Sequence, residues 1–258
     1  MRVFLVRAAL AFACLLPGGL FLNAMPVHSD LPEDPRPCRA GTLYLTFNTG
    51  SMAVADHVAE VLRQEHVRAT FFIDDDQTYV GDHVLDARWA NYWRARVAEG
   101  HAFGNLALSR ASFRKDLPDG RVHAVLPDGK AASFTRDRFC DEFNRVDERF
   151  TDLTGKHLGP LWRAPAGSAT PRALEWAKSC GYSQPQAGVP NDLLGEDLSS
   201  SALTNQVVFD RAVHTARDGA VLTVPMGGGP HREPFAALLR PLLTKLKSQG
   251  YCFAPLKG

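Results

Sequence analysis

Short apolar runs alternate with amphipathic segments along most of the chain, and this alternation constrains the fold more than any other feature. Thr42 to Phe47 reads as a strand, and "AVADHVAEVLRQEHV" as a helix with Val54, Val58, Val61 and Leu62 on one face. "ATFFI" is the next strand, "WANYWRARVAEG" a helix on which Trp89, Tyr92 and Trp93 share a packing face, and "HAFGN" a third strand. "TRDRFCDEFNRVDERFTDL" carries Phe139, Phe143, Val146 and Phe150 at helical spacing. "TPRALEWAKSCGY" opens with a Thr cap and a first-turn Pro, and stops at Gly181. "GAVLTV" and "YCFAPL" read as strands flanking the helix "PFAALLRPLLTKLKSQG". Strand followed repeatedly by helix implies parallel strands in an α/β fold. In such folds the chemistry collects at the C-terminal ends of the strands, here residues 48–51, 74–77, 105–110, 163–167 and 225–233.

Charge narrows the partners. Lys and Arg total 29 against 28 Asp and Glu, a net charge of +1 that gives no electrostatic case for nucleic acid or an acidic membrane. Neutral partners such as sugars fit better. Residues 1–24, with Arg2 and Arg7 before an apolar run broken by Pro17, Gly18 and Gly19, predict a secretory signal peptide removed near Ala24. That run is too short to span a bilayer, so no transmembrane segment is expected once the signal is gone. The mature chain is then a lead segment, 25–41, and one domain, 42–258, secreted or periplasmic. Cys38, Cys140, Cys180 and Cys252 remain, an even number that suggests disulfides in an oxidising compartment. Three pairings are open, and buried free thiols are the alternative. No Cys/His cluster has the spacing of structural zinc.

Read in order, "LTFNTG", "ATFFI", "EGHAFGNLALSR", "LWRAPAG", "DGAVLTVPMGGG" and "LKSQGYCFAPL" resemble the polysaccharide deacetylase family, the chitooligosaccharide deacetylase homology domain, over about residues 42–256. The resemblance implies a distorted, partly open (β/α) barrel of about seven parallel strands. It also implies removal of N- or O-acetyl groups from glycans with a divalent metal, often zinc. The family's first motif is TFDDG, its first Asp the general base and its second a metal ligand. Those positions are Asn48 and Thr49 here. An amide accepts no proton near neutral pH, and a neutral hydroxyl is a poor ligand for a hard dication. The two metal-binding histidines of the second motif align with Leu106, which has no donor atom, and Arg110, whose guanidinium stays cationic. The histidine and aspartate of the fifth motif become Pro225 and Met226, and neither donates a proton. The third motif, RxPxG, survives as Arg163, Pro165 and Gly167, with the Arg expected to support the base position. The fourth motif has no convincing counterpart.

A missing general acid or base each lowers the rate about 10²- to 10⁴-fold. Without a metal, the attacking water also keeps a pKa near its bulk value of about 15.7 instead of about 7. The expectation is therefore a pseudoenzyme with no cofactor. It would bind a glycan (chitooligosaccharide, peptidoglycan or exopolysaccharide) or a partner cell-wall enzyme through the residual groove. Trp162, beside Arg163, is the expected sugar-stacking residue, with Pro165 and Gly167 in the groove wall. The alternative is a hydrolase of amide or ester bonds with a rebuilt site, its cation held by Asp74, Asp75, Asp76 and His231, although adjacent carboxylates on one strand end point apart. His101 is expected to be a framework residue. Residues 114–134, with two PDG turn signals, predict an inserted hairpin or flap.

Overall fold

In a computed structural model, structure is described for residue 31 and residues 36–182, 184–185, 190–192, 204–227 and 235–258. The expected signal segment and His231 lie outside the described residues. The elements are β1 (Gly41–Asn48), α1 (Ala55–Gln64), β2 (Thr70–Ile73), α2 (Ala90–Ala98), β3 (Ala102–Asn105), β4 (Ser112–Asp116), β5 (Val122–Val125), β6 (Ala131–Phe134) and α3 (Arg136–Thr154). They continue as β7 (Leu161–Trp162), α4 (Pro171–Ser179), β8 (Gln184–Pro185), β9 (Pro190–Asp192), α5 (Asn205–Thr215), β10 (Val221–Pro225), α6 (Ala236–Ser248) and β11 (Tyr251–Phe253).

Seven parallel strands run in the order β8-β7-β3-β2-β1-β10-β9, and β11 adds parallel to the start of β1. This is the parallel α/β architecture expected from the alternation. Side chains alternate across the strands. Leu45, Phe47, Phe71, Ile73, Leu222 and Val224 face the helices, where they join Val58, Val61 and Leu62 of α1 and Leu239, Leu242 and Leu243 of α6 in the main core. Thr46, Asn48, Thr70, Phe72 and Thr223 take the opposite face. There Phe72, Leu106 and Leu161 form a small buried cluster, with Leu256 of the C-terminal segment packed against it. The Leu256 N–H donates to Thr70 Oγ1 at 2.8 Å, which seats that segment under the strand.

Helix ends follow the sequence signals. The Thr135 and Thr170 hydroxyls cap α3 and α4 by accepting from Arg138 N and Ala173 N, and Gly155 ends α3 in the left-handed region at φ 76°. Phe139, Phe143, Val146 and Phe150 are all fully buried. Trp93 is buried with its indole N–H on Val84 O, so the Trp89, Tyr92, Trp93 face is a packing face as expected. Two disulfides form, Cys38–Cys252 and Cys140–Cys180, with Cα–Cα separations of 5.1 and 5.6 Å.

The segment expected to be an inserted hairpin or flap is larger than a hairpin. β4, β5 and β6 form a three-stranded antiparallel meander with tight turns at both PDG sequences. Its buried face (Phe113, Val122, Ala124, Phe134) packs on Phe139 and Phe143 of α3 and Trp176 of α4 in a second core. Arg172 of α4 fastens it from outside, its Nη1 donating to Leu117 O and Arg121 O at 2.9 and 3.0 Å. The expected flap is thus a side wall bound to two helices.

Candidate functional site

β1 ends at Asn48 with its side chain on the inner face, and a short turn leads into α1. That turn is shaped at some energetic expense. Gly50 has φ 149°, and Met52, a non-glycine residue, has φ 58° while its side chain is buried in the main core. The loop after β3 holds two more left-handed non-glycine residues, Ala107 (φ 64°) and Arg110 (φ 50°). Each such residue costs of order 1–3 kcal/mol and persists where surrounding packing over-determines it. Gly227, after β10, approaches so closely that a Cβ there would lie 2.8 Å from Ser51 Oγ and 3.0 Å from Ala53. The loops after β1, β3 and β10 therefore hold a tightly specified backbone at the C-terminal ends of the strands.

Two polar networks fill it. In the first, Arg163 Nη1 donates to Asn48 Oδ1 at 2.5 Å and Nη2 to Thr46 Oγ1 at 2.7 Å, while the guanidinium lies over the Phe72 ring at 4.1 Å. The retained Arg does support the residue at the base position, but that residue offers it an amide oxygen instead of a carboxylate. In the second, Thr49 Oγ1 is 2.7 Å from Asp74 Oδ1 and 3.1 Å from Phe72 O, and it accepts the Asp74 N–H at 2.9 Å. The single hydroxyl proton has two acceptors, and the carboxylate is the nearer and stronger. Asp74 is 0% exposed; its Oδ2 lies 3.3 Å from Arg110 Nε as an ion-pair contact without hydrogen-bond geometry. Arg110 Nη1 also donates to Asp76 Oδ2 at 3.0 Å and faces Gly50, 3.7 Å from where a Cβ would sit. Burial pushes the Asp74 carboxyl up to about 6, against the downward pull of Arg110 and of the Thr49 hydroxyl.

The three adjacent acids diverge as expected. Asp74 and Asp76 both turn to Arg110, whereas Asp75 accepts from Leu85 N and pairs with Arg149 of α3, which also holds Asp86. They do not form a chelate. Leu106 is buried against Phe72 and Leu161. Met226 is buried in the main core, and Pro225 sits opposite Asn48 in the ladder, where Met226 N donates to Asn48 O at 3.0 Å. His101 is a framework residue: Nδ1 accepts Ala69 N–H at 3.0 Å, which puts the ring proton on Nε2 toward Glu99, itself held by Arg96.

A divalent metal does not fit this donor set. At the aligned positions stand a hydroxyl committed to Asp74, an alkyl side chain and a guanidinium, and a cation already lies against the two nearest carboxylates. Among the described residues no three His, Cys, Asp or Glu side chains converge.

Trp162 corrects one expectation. It is 0% exposed, with its ring edge-on to Phe139 and Phe143, so no sugar reaches its face. Pro165 is buried as well, while Gly167 is exposed at the end of the short turn Pro165–Gly167. The exposed aromatic beside the site is one that sequence reasoning passed over: Tyr79, at 62% exposure, in the loop after β2.

A mainly parallel sheet with the chemistry-bearing loops at its C-terminal edge, and an RxPxG arginine after β7 whose guanidinium reaches the end of β1, is the arrangement that the resemblance to polysaccharide deacetylases implies. The sequence profile of the polysaccharide deacetylase family matches residues 36–185, and the chain belongs to that family. It is 25% identical to the peptidoglycan-N-acetylmuramic acid deacetylase PdaA of Bacillus subtilis, over 82% of this chain and 68% of that protein. It is 24% identical to the peptidoglycan-N-acetylglucosamine deacetylase PgdA of Listeria monocytogenes, over 90% of this chain but only 41% of the relative's length. Solved structures share the fold. Bacillus subtilis PdaA superposes with a TM-score of 0.61 at 22% identity, covering 88% of this chain and 83% of that one. A CE4-family pseudoenzyme from Bacillus anthracis does so with a TM-score of 0.61 at 16% identity, covering 84% of this chain and 64% of that one.

Proposed function

We propose that the protein is an exported polysaccharide deacetylase homologue without metal-dependent deacetylation, which binds a cell-wall glycan through the loops that once held the reaction. One observation carries this reading. The guanidinium of Arg110 stands against Asp74 and Asp76 beside the Thr49 turn, so the site already contains its cation, and that cation is covalently part of the chain. Asn48 adds the second deficit, since its amide cannot take a proton from water. The relatives named as peptidoglycan deacetylases supply the glycan class, with chitooligosaccharides and exopolysaccharides as chemical neighbours and a partner cell-wall enzyme as the other kind of ligand. Two disulfides agree with an oxidising compartment, removal of residues 1–24 rests on their sequence pattern, and among the described residues no helix is long and apolar enough to cross a membrane. The test is metal content of the purified mature chain together with acetate release from acetylated chitooligosaccharides and peptidoglycan. Neither stoichiometric zinc nor chelator-sensitive acetate release is expected, and finding both would sink the proposal.

A second reading has one observation behind it. Asp74, pushed up to about 6, lies in the range suited to a general base at neutral pH, which is what a rebuilt hydrolase needs. Its full burial and its bond to Thr49 count against access to substrate. Chelator-resistant turnover abolished by Asp74→Asn would favour this reading over the first.

A further inference from the structure

The loop between β2 and α2 is tied by a dense set of hydrogen bonds beside the site. Tyr79 N donates to Ser51 O at 2.8 Å, joining the loop directly to the turn that carries Asn48 and Thr49. Thr78 N donates to Asp82 O at 2.7 Å and Gly81 N to Thr78 O at 3.0 Å, closing a tight turn whose Gly81 has φ 89°. The Thr78 hydroxyl bonds the Asp82 carboxylate, Gln77 Nε2 donates to Gly81 O at 3.2 Å, and Gln77 pairs with His83 as an isolated bridge. This scaffold holds Tyr79 and Val80 out at 62% and 41% exposure, and both are among the few large apolar side chains left in water. A side chain on a pre-ordered backbone loses less freedom on binding than one on a slack loop. Tyr79 shares this corner of the site with the partly exposed Asp76–Arg110 ion pair: its N–H is held by Ser51 O, and Arg110 Nη1 faces the neighbouring Gly50. An aromatic face for the apolar face of a pyranose, flanked by a carboxylate and a guanidinium for its hydroxyl edge, is the chemistry of a sugar subsite. Arg110 divides its charge between two carboxylates, so the surface suits a neutral ring better than an anion.

We infer that Tyr79 is the stacking platform of this site, packing against one ring of a neutral N-acetylated hexosamine chain with Val80 alongside and the Asp76–Arg110 pair at its hydroxyls. This deepens the glycan-binding reading and rests on it. It transfers the stacking role from the buried Trp162 to a residue outside every motif of the family. The experiment is calorimetric titration of the mature protein with N-acetylchitotetraose, the neutral probe, and with a soluble peptidoglycan tetrasaccharide, whose lactyl carboxylates make it the anionic comparison. The variants are Tyr79→Ala, Tyr79→Phe and, as a control at a distant exposed apolar position, Val207→Ala. Wild type, Tyr79→Phe and Val207→Ala should bind alike, and Tyr79→Ala should lose roughly three- to tenfold in affinity, the range of an aromatic stacking contact. Equal binding by Tyr79→Ala, or no binding of either probe by the wild type, overturns the inference. Thermal melts of all four proteins show that the fold is kept, as expected for a side chain this exposed. Acetate release followed in the same samples separates the two claims. Turnover with chelator sensitivity would remove the pseudoenzyme reading while leaving the Tyr79 comparison to decide this one.

Discussion

Arg110 is the charged group set against the fully buried Asp74 carboxyl, and pH reads the coupling. The Asp74 carboxyl, raised from 3.8 to about 6 in the fold, binds a proton there between these values that the unfolded chain has already released. Stability contributed by this group is therefore greatest below pH 4, falls as pH rises through 4 to 6, and is flat above. The fall amounts to roughly 3 kcal/mol. Asp74→Asn should remove that slope, so urea unfolding at pH 4 and pH 7 should show the variant gaining on the wild type by about that amount at the higher pH. Arg110→Ala should do the opposite. Removing one partner of a buried pair typically costs about 3–5 kcal/mol, and the 31% exposure of the Arg110 side chain lowers the expectation to about 2–3 kcal/mol at pH 7. Below pH 5 the neutral Asp74 needs no partner and the deficit should shrink. An Arg110→Ala protein equally stable at both pH values would mean that Asp74 is not the group Arg110 serves. At this scale Asn48, Thr49, Leu106 and Arg110 were legible as replacements, because each differs in kind from what the reaction needs. The pairing of Arg110 with Asp74 was not, since it joins two loops whose strands are neighbours only in the sheet. The burial of Trp162 was hidden for the same reason, because the residues that cover it, Phe139 and Phe143, come from α3.

The meander β4–β6 and helices α3 and α4 form a unit with its own core, and the disulfide Cys140–Cys180 ties the two helices within it. Phe134, fully buried at the end of β6, meets Phe113 edge-on at 5.3 Å. Phe134→Ala should destabilise by about 3–5 kcal/mol, and limited proteolysis should then cut first at the turns around residues 117–121 and 126–130. Cleavage elsewhere, with the meander intact, would show that β6 does not hold it. The elements with strong apolar alternation or a capped amphipathic stripe were legible in advance within about three residues at each end. Those missed had weak local signals. β8 and β9 span only two and three residues. The "AASF" of β6 offers small residues where alternation would be sought, so two PDG turns suggested one hairpin and not three strands. α5 could have been found: Thr204 caps it by accepting Val207 N–H, and Val208 and Ala212 are buried one turn apart.

Across the whole molecule, the two disulfides close loops of very different size. In the chain-entropy treatment a closure over 40 residues is worth about 4 kcal/mol and one over 214 about 5 kcal/mol. Peptide mapping without reductant should recover the pairs Cys38–Cys252 and Cys140–Cys180. Recovery of Cys38 or Cys252 as free thiols would contradict the seating of β11 against the start of β1. The Cys38–Cys252 bridge joins the segment entering β1 to the strand that follows α6. A mechanical load applied before Cys38 and after Cys252 would pass from sulfur to sulfur and bypass the sheet. Stretching by those ends should extend only the flanking chain until reductant is added. Cleavage of the bridge would then put the chain between the two cysteines, a sequence separation of 214 and about 700 Å of contour, under load, and only from that point would the parallel sheet carry tension.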